Sequence, residues 1–173
     1  HCSLGSGRQW KALAEALGRS HTFFAPDIAG YGARACVSEA CAADLPLTLA
    51  DEVRHLSDQL RETAGAIHLV GHSYGGAIAF KIATCSAFAH RVRSLTLIEP
   101  VLPTLLRESD ADRRLHARFA QVARDVTEDI WNGSVLEAID MFTAFWNGSG
   151  PQDPVPASAR LRMIERADKL VFD

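Results

Sequence analysis

The sequence has little that would tie it to nucleic acid, to a membrane or to a metal. Its formal net charge is only -3 over 173 residues, and its basic residues, nearly all arginine, are spread along helix-like segments without forming a stripe. A phosphate backbone is bound chiefly through clustered cations that release its counterions, so nucleic acid is excluded as the main partner. No apolar run approaches the ~18 residues that cross a bilayer, and no charged-then-apolar leader opens the chain. The expectation is a soluble, cytoplasmic protein with a small-molecule substrate and no membrane partner. Phosphate-cradling glycine loops and metal-ligand clusters are both missing, so no cofactor and no metal are expected. The four cysteines, Cys2, Cys36, Cys41 and Cys85, lack zinc-type pairing and are too scattered for a small disulfide scaffold. They read as free thiols of a reducing compartment. Composition leaves the oligomeric state open.

Hydrophobic residues make up 47% of the chain and charged residues 23%, a balance that suits a globular core of one domain or slightly more. The most informative stretch runs from Ala66 to Phe80. An apolar, β-branched run, Ala66-Ile67-His68-Leu69-Val70, reaches Gly71 and turns at Ser73, after which small and apolar residues recur at helical spacing. Gly71-His72-Ser73-Tyr74-Gly75 fits G-x-S-x-G, the pattern of a serine held out on a strained strand-to-helix turn. Three fixed positions match by accident in roughly one chain in twenty of this length. The strand pattern before and the helix pattern after make accident much rarer, and the residual alternative is a structural Gly-Ser turn.

Elsewhere the chain alternates. Trp10, Leu13, Ala14 and Leu17 fall on one helical face that stops at Gly18. Thr22-Phe23-Phe24-Ala25 reads as a short buried strand ended by Pro26, followed by the turn-forming Asp27-Ile28-Ala29-Gly30-Tyr31-Gly32. Ala33 to Pro46 reads as a surface loop. Thr48 with Asp51 forms a helix start, and Leu49, Val53, Leu56 and Leu60 continue its apolar face. After the serine turn and its helix, Val92 to Ile98 alternates as a further strand and ends at Glu99-Pro100. Alternation of this kind predicts a parallel sheet with right-handed crossovers and function at the carboxyl ends of its strands. Those ends carry Asp27, Ser73 and Glu99. Past Pro103 only helices are expected, with faces at Leu115, Phe119, Val122 and Val126, at Val135, Ile139, Phe142 and Trp146, and at Leu161, Ile164 and Leu170. Phe119, Phe142, Phe145 and Trp146 read as packing residues of these helices. Asn132-Gly133-Ser134 and Asn147-Gly148-Ser149 fit the glycosylation sequon but read as Asn-Gly helix stops. The division expected is a core over 1–103 and a helical cap over 104–173.

The serine turn, the strand order and the helical insert together resemble the α/β-hydrolase family. Further likeness lies in Asp27-Ile28-Ala29-Gly30-Tyr31-Gly32, similar to the family's D-x-x-G-x-G loop. His1-Cys2-Ser3-Leu4-Gly5-Ser6-Gly7 is similar to its H-G-x-x-G oxyanion loop, with Cys2 where glycine is usual. The resemblance implies an α/β fold with a mostly parallel sheet, flanking helices and an all-helical lid. It implies Ser73 as nucleophile, the backbone N–H groups of Tyr74 and Ser3 as an oxyanion hole, and support from His1, Gly71, His72, Gly75 and Gly76. The chemistry implied is hydrolysis of an ester or related acyl substrate.

The family's acid and histidine follow the serine at the ends of strands beyond the lid. The sequence begins at His1 without a methionine and ends at Leu170-Val171-Phe172-Asp173, so an incomplete chain is expected, with final strands missing and little or no activity. Glu99 is a possible acid, because some family members carry a carboxylate after this strand. Its alternative is a structural carboxylate that caps local backbone. Asp27 reads as loop-ordering, and His90 and His116 as surface residues. Rival functions are a carbon-carbon bond hydrolase, a cofactor-free peroxidase-like member, and a non-catalytic binding protein that keeps the fold.

Overall fold

The computed structural model describes residues 1–32, 48–61, 63–148 and 155–173. The loop expected over Ala33 to Pro46, with Cys36 and Cys41, lies outside the described residues, as does Ser149 of the second sequon. The chain divides into two compact units, His1–Val101 with Phe172–Asp173, and Leu102–Val171.

The first unit is built around a parallel pair of strands, β1 (Ile67–His72) and β2 (Val92–Ile98). Their register runs from His68 opposite Ser94 to His72 opposite Ile98, with an irregularity between Ile67 and His68. Helix α1 (Lys11–Leu17) follows directly on a short 3-10 turn, Gly7–Trp10, and ends at Gly18 as the sequence pattern predicts. Helix α2 (Leu49–Leu60) buries Val53, Leu56 and Leu60 against α3 (Tyr74–Cys85). Helix α3 also packs on both strands. It buries Ala77, Ile78, Ala79 and Ile82, as expected of a helix whose sequence is apolar on more than one face.

Thr22 to Ala25 has no regular secondary structure and is not a strand of this sheet, and Phe23 and Phe24 are exposed. A β-forming sequence becomes a strand only when a neighbour completes its ladder, and among the described residues the only paired strands are β1 and β2.

The second unit is helical: α4 (Arg113–Trp131), α5 (Val135–Asn147), α6 (Ala157–Ile164) and α7 (Ala167–Leu170). Its core is Val126 and Ile130 of α4, Ala138 and Ile139 of α5, and Ala167 and Leu170 of α7. The expected stripes are thus buried only in part, for Leu115 and Leu161 stay exposed. Phe119, Phe145, Trp146 and Phe142 meet edge to face or tilted, with centroids 5.0 to 6.3 Å apart, in an aromatic cluster of α4 and α5 whose phenylalanines are half-buried and whose tryptophan is exposed. Both Asn-Gly pairs end helices, with Gly133 at φ 82° and Gly148 at φ 75°. No described helix is long and apolar enough to cross a membrane.

The start of α2 is a reciprocal cap. The Asp51 N–H donates to Thr48 Oγ1 at 3.2 Å, and the Thr48 hydroxyl donates to Asp51 Oδ2 at 2.6 Å. That hydroxyl, with Arg54 nearby, holds the Asp51 carboxyl below its ordinary value of 3.8. A carboxyl lowered on folding contributes stability above its unfolded value and loses it as pH falls through the folded one. Loss of the cap in Thr48→Ala should cost about 1 kcal/mol at neutral pH, and the difference should shrink as pH falls below 3.8, in urea titrations of the two proteins.

Candidate active site

Ser73 joins β1 to α3 with φ 55° and ψ -123°, a backbone that only glycine adopts without strain. Its N–H donates to Ile98 O at 3.0 Å, which extends the ladder to β2 by one step. Its carbonyl accepts from Gly76 N at 2.9 Å, Ala77 N at 3.3 Å and Val101 N at 3.1 Å. Four bonds from two directions thus fix a conformation that costs about 1 to 3 kcal/mol. The side chain is the part left over: Ser73 is half-buried, and its hydroxyl bonds to no described residue.

The neighbouring glycines follow from how closely the chain folds here. A Cβ on Gly71 would stand 2.5 Å from Gly75 O and 2.7 Å from Gly76 Cα. One on Gly75 would meet His1 O at 2.4 Å, and one on Gly76 would meet Pro100 Cβ at 2.9 Å. Tyr74 opens α3, where the helix dipole favours negative charge. Its buried phenol keeps its proton, since burial and then the charges of Asp173 and Glu52 push its pKa up.

The His1–Gly7 loop is tied to this turn. Gly75 N donates to His1 O at 3.2 Å. The Ile28 N–H donates to His1 Nε2 at 2.9 Å, so Nε2 carries no proton, and Nδ1 is then the atom that donates to Cys2 O at 2.8 Å. With both nitrogens used and its side chain enclosed, His1 orders two loops and is in no position to act as a base. Asp27 belongs to the same arrangement: Oδ1 accepts from Gly7 N at 2.7 Å, and Gly32 leaves room for its carboxylate, which a Cβ at that position would overlap. His72 is held by Gln9. The Gln9 carbonyl oxygen accepts from Cys2 N at 3.1 Å, and its amide nitrogen therefore faces His72 Nδ1 at 3.0 Å.

Within this loop the amides of Cys2, Leu4, Gly5 and Gly7 are engaged. Cys2 N bonds to Gln9, Gly5 N to Cys2 O at 3.2 Å, and the Leu4 backbone to the Tyr31 hydroxyl. Between Cys2 and Gly5, only the Ser3 N–H has no hydrogen-bond partner among the described residues. Burial raises the Cys2 thiol above its usual value, so it stays protonated and does not compete as a nucleophile.

A model of the alpha/beta hydrolase family matches residues 1–170. The chain belongs to that family. A comparison with curated proteins finds no significant match. For a member of the alpha/beta hydrolase family, the elbow at Ser73 and the two loops beside it lie together, whereas Glu99 stands apart from their hydrogen bonding. It is exposed, with φ 43°, and its carboxylate neither caps backbone nor bonds to a histidine among the described residues. The described residues include all seven histidines of the chain, and none bonds to the Ser73 hydroxyl. Among the described residues no group of three or more His, Cys, Asp or Glu is arranged to hold a metal.

Two residues that the sequence reading passed over as site residues are Gln9 and Tyr31. Tyr31 stood inside the D-x-x-G-x-G loop, where it read only as part of a turn. Its partner Asp173 lies 142 positions away, and no local pattern links the two.

The packing around Gly71 yields a stability test. Gly71→Ala should destabilise the protein by about 3 kcal/mol or more, as overpacking against backbone does. Gly133→Ala, at φ 82° in open space, should cost only the 1 to 2 kcal/mol or so of left-handed strain. Urea unfolding of the two variants checks the order.

Proposed function

We propose that this chain carries the nucleophile and the oxyanion hole of a serine hydrolase for esters or related small acyl substrates. The observation that supports it best is Ser73 itself, strained, pinned through its backbone at the head of α3 and left with an unbonded hydroxyl. In this reading Ser73 Oγ attacks the acyl carbon, and the carbonyl oxygen, as it turns anionic, is met by the N–H groups of Tyr74 and Ser3. Each such donor is worth on the order of 2.7 to 4 kcal/mol in the barrier. Glu99 is our candidate for the acid that orients a base. The helical unit Leu102–Val171 is our candidate for the lid that selects substrate.

A serine hydroxyl is a poor nucleophile until a neighbour takes its proton. Since no histidine reaches Ser73, this chain alone should turn over an activated ester no faster than Ser73→Ala does. The nucleophile itself is tested with a fluorophosphonate and added imidazole as the outside base. Ser73 Oγ would attack phosphorus, fluoride would leave, and imidazole would take the hydroxyl proton. The expected result is single-site labelling of Ser73, found by peptide mass spectrometry, that speeds up at least about tenfold with imidazole and vanishes in Ser73→Ala. A folded chain that stays unlabelled at Ser73 at every imidazole concentration would make this a binding protein that keeps the fold.

A further inference from the structure

Tyr31 is wholly buried, 0% exposed, yet it carries a hydroxyl, and that hydroxyl is used twice. It donates to Asp173 Oδ2 at 2.6 Å and accepts from the Leu4 backbone N–H. A phenol can do both because its oxygen keeps lone pairs while its proton is given away. The proton stays in place, because burial and the Asp173 charge push the Tyr31 pKa well up. Donation to a carboxylate also polarises the oxygen and makes it a better acceptor.

What the hydroxyl holds matters more than that it is satisfied. Leu4 has φ 61°, the left-handed region in a residue with a branched side chain. Such a conformation persists only when its surroundings enforce it. On one side of Leu4, Gly5 N is tied back to Cys2 O; on the other stands Ser3, the loop residue whose N–H has no described partner. The direction of the Ser3 N–H is therefore set by the peptides around it, and the bond from Leu4 to Tyr31 is the one that fixes them from the buried side.

We propose that Tyr31, itself oriented by Asp173, is a positioning residue for the oxyanion hole: its hydroxyl fixes the Leu4 peptide and so aims the Ser3 N–H at the developing anion. This rests on the serine-hydrolase reading above. A bond that merely held the fold would affect stability alone. One that aims a donor affects the bond-forming step and leaves the binding of the reagent unchanged.

The test measures kinact and KI for imidazole-driven fluorophosphonate labelling of Ser73, with thermal unfolding of each variant alongside. Tyr31→Phe should lower kinact by about 10- to 100-fold, as misplacing a reacting group by about 1 Å does, with KI within about twofold. Asp173→Ala should lower kinact in the same way. Asp173→Asn should stay near the starting rate, since its amide oxygen still accepts the Tyr31 proton. A folded Tyr31→Phe that labels at the unaltered kinact overturns the proposal while leaving the nucleophile reading intact. Absence of imidazole-dependent labelling in the unsubstituted chain overturns both. Should Tyr31→Phe fail to fold, the Asp173 pair decides: loss in the alanine variant with retention in the asparagine variant supports the proposal, and equal rates in the two overturn it.

Discussion

The backbone of Ser73 is the constraint on which the first unit depends. A side-chain-bearing residue at φ 55° and ψ -123° relaxes unless its amide and its carbonyl are both held, and here β2 supplies partners for each. Ile98 O takes the N–H, and Val101 N reaches the carbonyl from beyond the end of the same strand. The parallel pairing of β1 with β2 is thus part of the turn as well as of the sheet. Gly71, Gly75 and Gly76 are further consequences, because the helix, the His1 loop and Pro100 all approach this turn more closely than a Cβ permits.

Around that turn the polar groups divide by whether they are spent. His1 gives one nitrogen to Cys2 and the other to Ile28, His72 accepts from Gln9, and Asp27 accepts from Gly7. His1, with both ring nitrogens engaged, stiffens its loop and cannot move a proton in a reaction without first breaking a bond. Ser73 Oγ and the Ser3 N–H are left unspent among the described residues. The chemistry proposed for the site uses those two groups together with the amide at the head of α3.

How much of this was legible in the sequence depended on how local the cause was. The serine turn, the Thr48 cap and the extent of β2 follow from residues within a few positions of one another, and the structure has each where the pattern lies. Thr22 to Ala25 has strand composition, but strand formation is a property of two segments, and the second is not among the described residues. Leu115 and Leu161 carry the correct helical period, yet burial needs a facing surface that periodicity does not encode. The Tyr31 and Asp173 pair is the extreme case. One buried hydroxyl meets one carboxylate across 142 positions, and neither residue type signals the other.

On the serine-hydrolase reading, the same distinction separates the two halves of the catalytic problem. An oxyanion hole made of amides is fixed by backbone angles, here Leu4 at φ 61° and Ser73 at φ 55°, which hydrogen bonds from neighbouring segments hold in place, and amides do not titrate. Proton transfer needs a side chain brought within about 2.6 to 3.2 Å of the hydroxyl, and that is a long-range task. In the described residues His21 bonds to Ser20 and His68 to Ser94, away from the elbow. Anion stabilisation and binding alone account for a residual acceleration of about 10³ to 10⁴ over water when a triad is disabled. The half of the site described here is therefore the half that can be complete while the hydroxyl it serves is still unactivated.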